Sequence, residues 1–414
     1  MQYNITKANK MLRGEINLPA SKSISNRILI INALAYSPFL IENLSDSDDT
    51  RVMEEVLNSN TNTFDIGHAG TAMRFLTAFL SKIAGEWTIT GSERMQNRPI
   101  GILVDALRMM GASIKYSGKE GFPPLKIFGT SLKGDVIEMD GSVSSQYISA
   151  LLMIAPTIEG GMTLKLLNKI TSKPYIDLTL QLMEEFGIHH TWIANEIKIE
   201  EQNYKPKKFT VEADWSGASY WYAMAALSDD CDLLLKGLRL NSLQGDSSQA
   251  IWFEKYFGVL SIQEGNDVRL SRVTKNTVKL IEIDFIENPD IAQTFAVLAV
   301  CKNIPFNFSG LQTLKIKETD RIAALQCELL KFGAILTEPN QGELAWDGKV
   351  DESIVNDPPV VKTYHDHRMA LAFATTAMKI PKISIEDPFV ISKSYPRFWE
   401  DLLKTGFKLE AQDI

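Results

Sequence analysis

Polar residues cluster at the heads of six otherwise apolar, alanine-rich segments of this chain. Lys22, Ser23 and Arg27 open the first; Gly70, Thr71 and Arg74 the second; Ser144, Ser145 and Gln146 the third. Asp214, Ser216 and Ser219 open the fourth, Asp290 the fifth, and Asp366, His367 and Arg368 the sixth. The start of a helix presents free N–H groups and partial positive charge, which suits phosphate and carboxylate. Simple N-capping accounts for the Ser, Thr and Asp. It does not account for Lys22, Arg27, Arg74 and Arg368, because the helix dipole disfavours cations at that end unless an anion is present.

A second charged constellation, Lys317, Glu318, Asp320 and Arg321, stands just before IAALQCELLKFG. Two readings are open: a solvated first turn with exposed ion pairs, or a general acid/base flanked by phosphate-binding cations. His365 and His367 flank Asp366, but no third and fourth ligands accompany them at metal-binding spacing. His189 and His190 are expected on a surface strand after Gly187. Cys231 is expected in a turn after Asp229 and Asp230. Nothing near Cys231, Cys301 or Cys327 marks a nucleophile, and no C-x-x-C spacing argues for a zinc finger or disulfide framework.

These residues recur because the elements that carry them recur. ILVDALRMMGASIKY, LTLQLMEEFGIHHTW, QAIWFEKYFGVLSIQ, AALQCELLKFGAILT and FWEDLLKTGFKLE each read as an amphipathic helix, a glycine and an alternating strand. Their glycines, Gly111, Gly187, Gly258, Gly333 and Gly406, are spaced by 76, 71, 75 and 73 residues, each where a left-handed helix cap is expected. The alanine-rich segments, anchored at Ser21, Gly70, Ser144, Ser216, Pro289 and His365, are spaced by 49, 74, 72, 73 and 76. Only the first interval is short. A helix near Arg51 to Leu57 supplies the first glycine-ended copy, so the shortfall falls on strands between Leu57 and Gly67.

Six such units predict an α/β fold of two similar domains with three units each, since one unit cannot bury both helices and a sheet. The strand GEINLP (Gly14 to Pro19) precedes the first helix, and the last unit stops soon after FKLE. The predicted domains are therefore a discontinuous one, 1–20 plus 213–414, and an inserted one, 21–212, with crossings near 20 and 212 that would make a hinge.

Composition narrows the field. The chain has 414 residues, 45% hydrophobic and 23% charged, as in an ordinary globular protein. Its net charge of −8 disfavours a nucleic-acid binder that relies on bulk positive charge, so any anion site must be built locally. Apolar runs such as Ile148 to Pro156 are too short to span a membrane, and MQYNITKANKMLRGE lacks the apolar core of a signal peptide. A reducing cytoplasm is expected. The nucleotide-binding patterns G-x-G-x-x-G after a strand and G-x-x-x-x-G-K-[ST] do not occur.

LPASKSISNR, GHAGTAMR, RPIGILVDALR, GSVSSQYISALLM, SKPYIDLTL, NSLQGD, KETDRI, DHRMALAF and SKSYPRF run collinearly from Leu18 to Phe398. Together they resemble the 5-enolpyruvylshikimate-3-phosphate synthase family of enolpyruvyl transferases. The resemblance implies the inside-out α/β barrel of that family, two three-unit domains joined by two crossover strands. It further implies transfer of the enolpyruvyl group of phosphoenolpyruvate to the 5-hydroxyl of shikimate 3-phosphate, a step of aromatic amino-acid biosynthesis and the target of glyphosate. No metal or organic cofactor, no nucleic-acid or membrane partner and a monomeric state are expected.

Carried over position by position, the resemblance implies that Lys22, Ser23, Arg27, Ser144, Ser145, Gln146, Ser172, Tyr175, Asp290, Thr313 and Lys317 hold shikimate 3-phosphate. Lys22, Gly70, Arg74, Arg98, Gln146, Arg321, Arg368 and Lys393 would form the phosphoenolpyruvate set. Asp290 would meet the reacting hydroxyl and Glu318 the vinyl carbon, with Lys22 and His367 near the same centre. His68 and Thr313 stand where asparagine is usual, Trp215 and Gly217 alter a segment that more often reads D-A-S-S, and Asn58 to Asp65 is short of strands.

Charge supports this reading independently. Two phosphates and two carboxylates bring roughly −5 to −6, and Lys22, Arg27, Arg98, Lys317, Arg321, Arg368 and Lys393 supply a comparable positive charge. An enolpyruvyl transferase acting on UDP-N-acetylglucosamine is the nearest rival, but it typically uses a cysteine of the inserted domain, and no Cys precedes residue 231. A non-catalytic anion-binding protein on the same fold would leave Asp290 and Glu318 without purpose. An RNA 3′-phosphate cyclase would need a nucleotide site and a basic surface.

Overall fold

The structure is a computed structural model, and residues 1–273 and 278–413 are described. The chain divides into two compact units at Pro19/Ala20 and Val211/Glu212, the first formed by Met1–Pro19 with the segment from Glu212 onward, the second by Ala20–Val211. Each has its own hydrophobic core.

In both units the alanine-rich helices lie inside and the sheets outside. Within Ala20–Val211 the interior helices are Lys22–Leu34, Gly70–Lys82 and Ser145–Ile154, which contact one another. In the other unit they are Trp215–Leu227, Ala292–Cys301 and His367–Ala374, the last two buried along their whole length. Helices apolar all round have no solvent face to offer, so packing at the centre of a unit is the arrangement that satisfies them. Gly111, Gly187, Gly258, Gly333 and Gly406 all have positive φ, between +69° and +96°, as a left-handed cap requires.

The sheets follow the repeat. Ala20–Val211 contains Thr63–Asp65, Gly85–Thr90, Leu125–Gly129 and Ser113–Tyr116 in that spatial order, and Thr191–Ile193, Glu196–Ile199, Met162–Leu167 and Val136–Asp140 in another sheet. Its third sheet is only a parallel pair, Phe209–Thr210 on Ile41–Glu42. That reduced sheet belongs to the short first interval of the sequence repeat. In the other unit, the N-terminal segment forms two strands. Gln2–Lys7 sits antiparallel between Ile383–Glu386 and Phe407–Gln412, and Met11–Asn17 runs parallel to Asp230–Lys236. The GEINLP strand thus ends at Asn17, and Gln2–Lys7 is an additional strand that completes the last sheet. The third sheet there is Ile281–Asp284, Phe306–Ser309 and Leu344–Trp346.

Two smaller expectations are corrected. Cys231 lies on the Asp230–Lys236 strand rather than in a turn, with its side chain inward. His189 and His190 precede the Thr191–Ile193 strand instead of lying on it. No helix among the described residues is long and apolar enough to cross a membrane.

Candidate active site

In the unit built from Met1–Pro19 and the segment from Glu212 onward, the interior helix starts gather one charged cluster. Asp320 caps the Arg321–Leu330 helix, accepting from the N–H of Ile322 and Ala323, which places Arg321 at the first helical position. Its guanidinium is buried and meets three carboxylates: Nη1 donates to Asp290 Oδ1 at 2.9 Å, Nη2 to Glu318 Oε2 at 2.8 Å, and Nε to Asp366 Oδ2 at 2.7 Å. The solvated first turn with exposed ion pairs is thereby corrected, since Arg321 retains only 1% of its surface. Nη2 also reaches Asp366 Oδ1 at 3.4 Å, so the guanidinium donates to carboxylates from all three of its nitrogens.

Asp290 is the hub of the cluster. Arg368 Nη2 stands 3.4 Å from its Oδ2 and Lys317 Nζ 3.6 Å from its Oδ1, in addition to Arg321. Burial opposes its ionisation, but the nearby Arg368, Lys317 and Arg321 outweigh burial and hold the carboxyl well below the ordinary range. Asp366, fully buried, caps the His367–Ala374 helix by accepting from Arg368 N at 2.9 Å, so one carboxylate fixes both arginines. His367 is buried beside it, Nδ1 3.9 Å from Asp366 Oδ1, whereas His365 is exposed and pairs with Asp387. The two histidines face different surroundings, which removes the metal-like spacing. Lys393 Nζ donates to the His365 carbonyl at 2.9 Å. The Thr313 hydroxyl oxygen is buried with no hydrogen-bond partner among the described residues.

In the Ala20–Val211 unit, Arg27 is buried among neutral oxygens. It donates to Thr179 Oγ1 at 2.7 Å, to the Ser23 carbonyl at 2.8 Å, to Ser149 Oγ at 3.1 Å and to the Tyr175 carbonyl at 3.3 Å. Among the described residues no carboxylate answers its charge, and burial lowers its pKa to about 10. A buried cation in such a setting gains from an incoming anion. Ser172, next to Tyr175 in the same corner of the chain, holds a left-handed backbone at φ +52° at the head of the Lys173–Glu185 helix.

The Gly70–Lys82 helix supplies the other anion-ready element of that unit. Ala69 stands at its N-cap, with no side chain closing the first N–H groups. Arg74 turns back to the Gly70 carbonyl at 2.9 Å, and Arg98 lies so close that a Cβ on Gly70 would stand 2.7 Å from its Nη1. Gln146 Nε2 reaches Thr71 Oγ1 at 3.3 Å, linking this helix start to that of Ser145–Ile154, where Ser144 is the cap. Lys22 and Ser23 begin the Lys22–Leu34 helix under the Ser21 cap.

A family model described as EPSP synthase (3-phosphoshikimate 1-carboxyvinyltransferase) matches residues 6–59 and 56–402. A 3-phosphoshikimate 1-carboxyvinyltransferase of Bacteroides fragilis is 51% identical over 412 residues, 99% of each chain. The chain belongs to the EPSP synthase family. Another relative of that name, from Vibrio cholerae serotype O1, is 37% identical over 426 residues, covering 94% of this chain and 96% of its own. Among solved structures, EPSP synthase from Acinetobacter baumannii is similar over 99% of this chain and 100% of its own, with TM-score 0.78 and 21% identity. The enolpyruvyl transferase NikO from Streptomyces tendae gives TM-score 0.75 at 16% identity, covering 100% of this chain and 99% of its own. At those identities the two structures establish the fold, the two-domain inside-out α/β architecture of this EPSP synthase family member.

Sequence reasoning missed two carboxylates of the cluster. Its spacing marks Asp366 only as part of a helix start. Asp246, inside the NSLQGD segment, is buried, accepts from Ser216 Oγ, and faces Asn288 Nδ2 at 3.3 Å. Burial first, and the charge of Asp290 second, push its carboxyl up to about 6. Sequence carries a weak signal for both: a lone acidic residue beside glycine or histidine at the edge of an apolar segment.

Proposed function

We propose that this EPSP synthase family member transfers the enolpyruvyl group of phosphoenolpyruvate to the 5-hydroxyl of shikimate 3-phosphate and releases inorganic phosphate. The observation that carries this reading is the bridging of two carboxylates, Asp290 and Glu318, by the single buried guanidinium of Arg321. Addition of a hydroxyl to an enol ether needs a base at the oxygen and an acid at the vinyl carbon, held a few ångströms apart, and this pair has that form.

In the proposed reaction the 5-hydroxyl oxygen bonds to C2 of phosphoenolpyruvate, its proton leaving toward Asp290 while C3 gains a proton from the Glu318 side. The tetrahedral intermediate then returns a C3 proton to the Glu318 carboxylate as the C2–O bond to phosphate breaks, which restores the double bond, leaves the product ether and releases phosphate. Lys22 serves both substrates, and His367 hydrogen-bonds near the same centre. Ser23, Arg27, Ser144, Ser145, Gln146, Ser172, Tyr175, Thr313 and Lys317 bind shikimate 3-phosphate. Gly70, Arg74, Arg98, Arg321, Arg368 and Lys393 bind phosphoenolpyruvate, with Gln146 adjoining both. The cations stabilise the intermediate and the leaving phosphate. The acid/base work is assigned to the discontinuous domain and most shikimate 3-phosphate contacts to the inserted one.

Phosphate release measured with shikimate 3-phosphate and phosphoenolpyruvate, against UDP-N-acetylglucosamine and phosphoenolpyruvate, tests the reading. Turnover with the first pair alone is expected. Burial holds the Cys231 and Cys301 thiols up at about 12, so neither suits the chemistry of the second pair. Turnover only with the sugar nucleotide, or tight binding of shikimate 3-phosphate without phosphate release, would refute it.

A further inference from the structure

Glu328 is a buried carboxylate to which the proposed reaction gives no part. It lies on the Arg321–Leu330 helix seven residues after Arg321, two turns along the same stripe. Both of its oxygens are used: Oε1 accepts from the Tyr364 hydroxyl at 2.7 Å, and Oε2 accepts from Lys331 Nζ at 2.6 Å and from the backbone N–H of Lys362 at 3.1 Å. Lys331 Nζ also donates to the Val360 carbonyl at 2.7 Å. One end of the helix thus ties down residues 360–364, while at its other end Arg321 holds Asp366.

Between these two anchors lies a backbone that side chains rarely adopt. Tyr364 and His365 are consecutive non-glycine residues at φ +53° and +55°. The turn is closed by Asp366 N–H donating to the Thr363 carbonyl at 2.8 Å. Such a conformation persists only where its surroundings over-determine it. Three cations depend on it: Arg321 through the Asp366 carboxylate, Arg368 through the cap that same carboxylate makes, and Lys393 through the His365 carbonyl.

We propose that Glu328 is a positioning residue: by anchoring Tyr364 it holds the left-handed Tyr364–His365 turn, and so aims Arg321, Arg368 and Lys393 at the phosphoenolpyruvate anion. The proposal rests on the functional reading above, which places these cations on that substrate. It makes a selective demand, because Arg27 donates to Ser23, Ser149, Tyr175 and Thr179 within its own unit.

Tyr364→Phe removes one hydroxyl, and Glu328→Gln keeps the volume of the carboxylate but not its charge. Steady-state kinetics for both substrates, thermal melts, and hydrogen exchange of the 360–370 amides on the full chain form the test. The phosphoenolpyruvate KM is expected to rise about 10-fold in each variant, the scale of one lost buried hydrogen bond to a charged group. The shikimate 3-phosphate KM should stay within about twofold. The two changes share the Tyr364–Glu328 bond, so the effect of the double variant should fall short of the sum of the single ones. Amides of Asp366 and Arg368 should exchange faster. Parallel rises in both KM values, or unchanged kinetics and exchange in Tyr364→Phe, would overturn the proposal. Wild-type protein without turnover would overturn the functional reading instead, and exchange in Tyr364→Phe, if unchanged, would still overturn the anchoring role.

Discussion

Gly70→Ala isolates one electrostatic contact from the rest of the fold. Gly70 is the first residue of the Gly70–Lys82 helix and does not need a positive φ, so alanine fits the backbone. The added Cβ would stand 2.7 Å from Arg98 Nη1, 3.2 Å from Arg98 Cζ and 3.2 Å from Arg74 Nη1. Comfortable contact begins near ~3.5 Å, so the Arg98 guanidinium must retreat by roughly 0.8 Å. A charge-assisted bond of about 2.8 Å stretched by that amount is no longer a hydrogen bond. Losing one to a charged group costs about 1.5–3 kcal/mol, which is a rise of about 10- to 150-fold in the phosphoenolpyruvate KM. Shikimate 3-phosphate should bind as before, because Arg27 donates its hydrogen bonds to Ser23, Ser149, Tyr175 and Thr179 and not to this helix start. The assay is initial-rate phosphate release with each substrate varied in turn, paired with a melting curve. An unmoved phosphoenolpyruvate KM would refute the role of Arg98, and an equal rise for both substrates with a lowered melting temperature would show damage to the unit rather than to a site.

Asp290→Asn and Glu318→Gln keep size but cannot carry a proton, so each should lower kcat by about 10²–10⁴-fold while substrate binding survives in calorimetry; turnover within threefold of wild type for both would sink the acid/base assignment. Arg321→Ala leaves the buried Asp366 and the partly buried Asp290 and Glu318 without their shared cation and should cost about 3–5 kcal/mol, read as a melting temperature lower by about 6–20 °C, and Arg321→Lys should not restore it, because one ammonium cannot span three carboxylates. A melting temperature within 2 °C (about 1 kcal/mol) of wild type for Arg321→Ala would remove the cluster's structural role. Asp246 titrates near 6 in the folded chain against about 3.9 unfolded, so its contribution to stability is present below pH 4, declines as pH rises and is lost above pH 6, a change of about 3 kcal/mol. Asp246→Asn should therefore melt higher than wild type at pH 8 and equal to it near pH 4; a difference that does not change with pH would contradict the assignment.

The parts of this fold that a reader of the sequence can recover are those fixed by local chemistry. Gly111, Gly187, Gly258, Gly333 and Gly406 are legible because few other residues end a helix in the left-handed region. Segments such as SSQYISALLMIA are legible as interior helices because no face of them is polar. What escapes is set by partners distant in sequence. Gln2–Lys7 is six residues long and gains its identity from Ile383–Glu386 and Phe407–Gln412, nearly the whole chain away. The same holds in the site. Lys317, Glu318 and Arg321 announce a charged cluster, but nothing in their spacing says that Arg321 turns inward to Asp366, 45 residues on. Asp246 sits unremarked after a glycine until Ser216 and Asn288 close around it.

The depressed pKa of Asp290 bears directly on how the proposed reaction can run. As it stands, with Arg368, Lys317 and Arg321 around it, this carboxylate is too weak a base to draw a proton from a hydroxyl. The cations that depress it are also those assigned to the substrate phosphates. A phosphate dianion that engages Lys317 and Arg368 divides their field between two anions and lets the Asp290 carboxyl rise toward its ordinary range. Arg321 follows the same logic from the other side, since an anion that draws its guanidinium away loosens Asp290 and Glu318. An anion that draws Arg321, Arg368 and Lys317 toward itself frees both proposed proton carriers, Asp290 from all three cations and Glu318 from Arg321.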